Sequence, residues 1–189
     1  IQLYRLKIDA YGDDQGPIGR LFQRHPERFP STQESIIQKR AAGLLLNEHG
    51  YHENLTRVFS RKPESISHYA TDQCCQLLDC VGFGQSAFSS LHDRFSIHTP
   101  DLDEYFARVQ AGRLPLTRGL KRTLDDDLRW HLMLPLKNSF VGKSTYALRT
   151  GHRVEQIFRP ELDTLVEHGL IYEDDERIQL TPVGRFFAD

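Results

Sequence analysis

The stretch Asp79–Ser90 reads DCVGFGQSAFSS, directly after QCCQLL (Gln73–Leu78). Gly82, Gly84 and Ala87 thus form a Gly-x-Gly-x-x-Ala array beside all three cysteines of the chain. Four readings compete for it. As a metal site, Cys74, Cys75 and Cys80 have the spacing C-C-x4-C, neither the C-x2-C pairing of zinc sites nor a ferredoxin spacing. Adjacent cysteines on a strand also point to opposite faces and converge poorly on one ion. His49 and His52 could join such a site but sit at a helix stop. As a dinucleotide loop, the array follows a strand-like run and has Asp101 and Asp103 downstream, but SAFSSLHDR is too short for the crossover helix. As a nucleophile elbow, GQSAF has Phe88 where the tight turn needs a second glycine. The fourth reading is a glycine turn that lets backbone pass close to something, and pattern alone favours it.

The totals narrow the class. The chain has 189 residues, 39% hydrophobic and 26% charged, with a formal net charge of −2. That is ordinary for one globular domain or two small ones, and it carries no basic excess of the kind nucleic acid attracts. No apolar run approaches the roughly 20 residues needed to span a bilayer. An odd number of cysteines makes no closed disulfide framework, so a reducing, cytoplasmic compartment is expected. Ile1 opens the chain inside a strand-like segment without Met, as expected of a piece of something longer.

Working outward, Ile1–Ile8 alternate as a strand, and YGDDQGPIG (11–19) is turn chemistry. Ser31 and Glu34 form a capping box for a helix whose apolar face is Ile37, Ala41, Leu44 and Leu45, with Gly50 as its stop. YHENLTRVF (51–59) and LLDCV (77–81) read as strands. Thr99 is placed as N-cap, with Pro100 at the first helical position and Gly112 at the end. A boundary is set near 113–122. Beyond it come a helix from Thr123, a short one around STYALRTG (144–151), and a longer one through RPELDTLVEHG (159–169). A hairpin around Asp174–Asp175 and a last helical turn complete the order of a winged-helix module.

The ordered segments resemble the radical S-adenosylmethionine (SAM) enzymes of the oxygen-independent coproporphyrinogen III oxidase type. The resemblance rests on a Tyr-bearing strand at Tyr4, Gly50-Tyr51 after a capped helix, and the loop of Asp79, Val81, Gly82, Gly84 and Ala87. It continues through the Tyr-bearing segment LDEYFARVQAGRLPLTRG (102–119), Gly169-Leu170 and Leu180-Thr181-Pro182-Val183-Gly184. It covers essentially the whole chain in order and implies a C-terminal portion of such an enzyme. The expected fold is α/β plus α+β: the last strands and helices of an incomplete (β/α) barrel at 1–115, then a winged-helix-like domain at 116–189.

By the same resemblance, Tyr4, Arg5, Gly82, Gly84, Gln85, Ser86, Ala87 and Phe88 are expected to face SAM or substrate. The full-length parent would hold a [4Fe–4S] cluster and SAM. Its cluster motif, C-x3-C-x2-C, is missing here, so this chain is expected to hold neither cofactor by itself, to supply no metal ligand and no catalytic residue, and to do no radical chemistry alone. The expected partners are the missing N-terminal half of the barrel and a tetrapyrrole or similar substrate. The reaction implied is oxidative decarboxylation of propionates in haem biosynthesis. Of the His-Asn and Tyr-Trp pairs common in relatives, only His68 and Tyr69 have counterparts, so a class C radical methyltransferase or an anaerobic haem-opening enzyme is the alternative. A DNA-reading winged helix is the alternative of another class, but residues 113–189 hold twelve basic and twelve acidic residues. Glu161, Asp163 and Glu167 on the candidate recognition helix would also repel phosphates.

Overall fold

The computed structural model describes residues 1–4, 6 and 16–188. Two compact units emerge, Ile1–Ile66 with Pro182–Asp189, and Ser67–Thr181.

In the first unit the expected opening strand appears as a short pairing: Gln2 bridges to Val58, and the Phe59 amide donates to the Ile1 carbonyl at 2.8 Å. Most of the strand beyond it, and the turn around Gly12, lie outside the described residues. Helix α1 (Pro17–Arg24) starts where a turn is expected from the sequence, with Pro17 opening it, a position that tolerates a residue without an N–H. Helix α2 (Thr32–Glu48) carries the Ser31–Glu34 capping box, with both reciprocal bonds made. Its expected apolar face is on the wrong side. Ile37, Leu44 and Leu45 are exposed, while Ile36, Ala42, Gly43 and Leu46 are among the partly covered positions, with Gly43 3.8 Å from the Phe59 ring. The expected strand 51–59 is a hairpin, β1 (His52–Leu55) and β2 (Val58–Ser60), turned at Arg57 with φ +75°.

The second unit opens with α3 (His68–Cys74), followed by β3 (Phe88–Leu91), β4 (Arg94–His98), α4 (Leu102–Gln110) and β5 (Leu116–Lys121). Cys74 and Cys75 therefore close a helix and do not lie on a strand. The expected strand LLDCV reduces to a single bridge, Cys80 to Ser90. The N-cap of α4 is Asp101, which accepts from the Glu104 amide at 2.8 Å, and not Thr99. The stretch around 113–122 is largely β5, the outer strand of an antiparallel sheet in the order β3-β4-β5.

The rest of that unit runs α5 (Leu124–Asn138), β6 (Phe140–Gly142), α6 (Lys143–Thr150), α7 (Val154–Glu167), β7 (Ile171–Glu173) and β8 (Arg177–Leu180). Thr123 and Asp126 box the start of α5, and Gly151 and Gly169 end the next two helices at positive φ. Helix α7 kinks at Phe158, two residues before Pro160. The sheet order is β6-β8-β7; β6 was not among the expected strands. Finally, α8 (Gly184–Phe187) returns to the first unit, where Arg185 pairs with Glu53 at 2.9 Å. The architecture is mixed α and β, and every ladder among the described residues is antiparallel, with no closed barrel.

The core gathers between α5, α6, α7 and the β6-β8-β7 sheet, where Leu132, Tyr146, Val154, Leu162, Ile171 and Ile178 are buried. Beside it, the carboxylate of Glu173 takes a two-pronged bond from Arg159, at 3.1 and 2.7 Å, and a third from Lys143 at 2.9 Å. Lys143 also reaches Glu155 at 3.0 Å. The Arg159 bonds lead in holding the Glu173 carboxyl down from 4.5 to about 2, against opposition from its burial and with help from Lys143. A depressed carboxylate stabilises the fold above its unfolded pKa and loses that contribution as pH falls through the folded value. Glu173→Gln is expected to cost about 2 kcal/mol at pH 7. In thermal melts the gap from the parent chain should narrow as pH falls from 4.5 towards about 2; a gap that holds constant would show that the charge is irrelevant.

Candidate functional site

The glycine loop is held by the end of β4. His98 is only 8% exposed; its amide donates to the Ala87 carbonyl at 2.8 Å, and its Nδ1 meets the Gly84 carbonyl at 2.8 Å. A carbonyl can only accept, so Nδ1 carries the proton there. Thr99, 1% exposed, continues the hold. Its carbonyl accepts from the Ser86 amide at 3.1 Å, its amide donates to the Pro115 carbonyl, and its hydroxyl donates to Glu104 at 2.6 Å. That bond comes first, with Arg108 next, in holding the Glu104 carboxyl below its usual range. The reading from sequence missed His98 altogether and took Thr99 for a helix cap. A buried histidine before Thr-Pro carries no local signal of a clamp, because its partners lie on a loop more than ten residues away.

Within the loop, Gly82 has no room for a side chain: a Cβ there would lie 2.3 Å from the Phe88 carbonyl oxygen. Its amide donates to the Ser89 hydroxyl at 3.0 Å. Gly84 differs. A Cβ would meet nothing within 4 Å, but φ is +104°, a conformation only glycine holds without strain. Ser86 also takes positive φ, +56°. Of the candidate residues, Gly82, Gly84 and Ala87 are half-buried, and Gln85, Ser86 and Phe88 are exposed. The Phe88 ring stacks on Phe95 at 5.8 Å, so it belongs to the sheet as much as to the loop. Among the described aromatics the most exposed is Phe83, at 88%. Tyr4 lies in the other unit, exposed, with its hydroxyl donating to Gln2 and the Arg57 guanidinium 5.0 Å from its ring centre. Arg5 lies outside the described residues.

The loop was expected to offer main-chain donors to a ligand. Several are already used: Gly82 on Ser89, Ser86 on Thr99, and Ala87 on Gly84 at 3.4 Å. The amides of Phe83, Gly84 and Gln85 have no partner among the described residues. The residues present do not fit an iron–sulfur cluster. Among the described residues, no group of three or more His, Cys, Asp or Glu is gathered as a metal needs. Burial, helped by neighbouring Cys74, pushes the Cys75 thiol up to about 11, where it stays protonated.

Comparison with known proteins separates the parts of the chain. The family model described as the HemN C-terminal domain matches residues 123–187. The terminal module is similar to the HemN C-terminal domain. An oxygen-independent coproporphyrinogen III oxidase from Thermostichus vulcanus is 31% identical over 57% of the chain, and one from Pseudomonas aeruginosa is 30% identical over 64%. A haem chaperone, HemW, from Bacillus subtilis is 20% identical over 90% of it. The chain spans 34%, 26% and 43% of these relatives' own lengths, respectively. Among solved structures, coproporphyrinogen III oxidase (HemN) from Escherichia coli, a radical SAM enzyme, superposes with a TM-score of 0.66 at 22% identity. That fold likeness covers 84% of this chain and 40% of the other. The chain thus resembles the C-terminal portion of a radical SAM enzyme of the oxygen-independent coproporphyrinogen III oxidase type. Among the described residues, no helix is long and apolar enough to cross a membrane.

The clamp makes a specific prediction. His98→Phe should free the Gly84 carbonyl and raise amide exchange at Ser86 and Ala87 about tenfold, while β4–β5 amides stay protected. His98→Asn, whose amide can donate in place of Nδ1, should restore most of the protection. Equal exchange in both variants would mean the ring only fills space.

Proposed function

We propose that the chain is the C-terminal part of a radical SAM enzyme that acts on a tetrapyrrole, and that it supplies part of the SAM- or substrate-facing wall and a lid. The HemN-type match at residues 123–187 carries this reading. It also supports a division near 115/116 between barrel remnant and terminal module. The order α5, β6, α6, α7, β7, β8 is that of a winged helix, proposed here as cover and not as a DNA reader. Exposed Ile37, Leu44 and Leu45 on α2 support a missing partner, the N-terminal half of the barrel, since an apolar helix face is ordinarily buried. In that whole enzyme the cluster and SAM come from, or are completed by, the missing half; when bound, they supply the radical that starts the reaction. Gly84 and Gln85 offer main-chain donors and Phe88 an apolar face, while Tyr4 and Arg5 are candidates for the same duty by resemblance alone. Gly82, Ser86 and Ala87 shape the loop.

A second reading is favoured by the longest alignment, with the haem chaperone, which covers 90% of the chain. On that reading the same scaffold holds haem and transforms nothing.

The longer protein, with its cluster reconstituted without oxygen, separates the two. Gly84→Ala is expected to weaken SAM binding about tenfold, from the strained φ alone, while the cluster's absorbance is unchanged. Unchanged SAM affinity would remove the loop from the site. Turnover of a propionate-bearing porphyrinogen supports the enzyme; tight haem binding without turnover supports the chaperone.

A further inference from the structure

We propose that the open edge of β5 is a docking strand for an extended acidic peptide, a role independent of the reading above. The β3-β4-β5 sheet has two outer strands, and the fold treats them differently. On the β3 side, Cys80 and Ser90 exchange both main-chain bonds, at 2.8 and 2.9 Å. These bonds also fix the phase of the whole sheet. The main-chain groups of Ser90 turn towards Cys80, so those of Ser89 and Leu91 turn to their β4 partners Ser96 and Arg94. Phe95 and Ile97 then turn the other way, onto Leu120 and Arg118 of β5. The amides and carbonyls of Gly119 and Lys121 consequently face outward, and nothing among the described residues pairs with them. Arg108 caps the start of the strand by donating to the Leu116 carbonyl at 2.7 Å. Every residue of β5 is exposed.

Charge identifies the occupant. Residues 113–122 hold four basic side chains and no acid. Arg122 is drawn to Asp127 at 3.5 Å, and Lys121 shares Asp93 with Arg94 at 3.8 and 3.5 Å. Arg113 and Arg118 are exposed and have no carboxylate partner among the described residues. Arg118 shares a sheet face with Phe88, Phe95, Ile97 and Leu120, so the incoming strand should carry carboxylates and apolar side chains in turn at every second residue, on that one face. A second copy of β5 fits poorly, because pairing two such edges sets cation against cation. Strand addition of this kind draws its affinity from main-chain bonds and its specificity from alternate side chains.

The test titrates the full chain with a fluorescein-labelled peptide, Glu-Thr-Val-Thr-Glu-Thr-Val-Thr, which presents Glu and Val in turn on one face, followed by anisotropy. Three controls accompany it: the same peptide with Lys for Glu, the acidic peptide with every amide N-methylated, and Arg118→Glu protein checked for an unchanged melt. Binding of the acidic peptide is expected. N-methylation should weaken it at least about tenfold through lost main-chain bonds, and Arg118→Glu about fivefold. No binding, or equal binding of the N-methylated peptide, overturns the proposal; the latter would show charge attraction without strand pairing. A concentration-dependent dimer that excludes the peptide assigns the edge to a second copy and overturns it equally.

Discussion

Two consecutive residues, His98 and Thr99, hold together one side of the second unit. Strand β4 ends at His98, and from there every neighbouring element is tied by a buried polar group. The glycine loop hangs on the His98 ring and amide and on the Thr99 carbonyl. The approach to β5 is fixed by the Thr99 amide, and the first turn of α4 by its hydroxyl. Buried polar groups are costly unless they find partners, so a junction held by this many bonds admits few alternative arrangements. The loop's geometry is therefore inherited from the sheet, and its glycines serve mostly to let that sheet come close.

What was legible in the sequence was local chemistry. The Ser31–Glu34 box, the start of α5 at Thr123 and the helix stops at Gly50, Gly112 and Gly169 all stand where the residue pattern puts them. A cap or a left-handed stop is made by residues three or four apart, so a short window contains its whole cause. The misreadings came from partners far along the chain. LLDCV has strand composition, but Leu77 turns at φ +52° and, among the described residues, only Cys80 makes a strand bridge. Strand β5 contains Arg118, Gly119 and Lys121 and has little apolar alternation; it is a strand because β4 offers an edge. Strand β6 has three residues, too few for any period to register. On α2, apolar residues occupy more than one side, and only the hairpin's Phe59 decides which side turns inward.

The resemblance reached further than the periodicity, because it used order along the whole chain. The HemN-type module at 123–187 contains the best-packed part of the molecule, with its own core and the Glu173 ion cluster along one side. The glycine loop outside it has no such core and relies on hydrogen bonds to the end of β4. A compact module and a loop held by polar bonds suit different duties: the first keeps its shape unaided, and the second keeps a shape that a bound group can complete.

The closing helix α8 has a consequence for how the protein is made. The first unit comprises two pieces of chain, and the Arg185–Glu53 pair joins residues 132 positions apart. A ribosome releases residues in order, at about 5–20 per second, and domains fold as their last pieces emerge. The second unit, contiguous from Ser67 to Thr181, has its full sequence outside the ribosome before the first unit does. Residues 1–66 therefore wait for residues 182–189, which leave the ribosome only after the whole second unit. Loss of residues 182–189 would leave the HemN-type core nearly intact and deprive residues 1–66 of their partner segment, a vulnerability placed far from its effect in sequence.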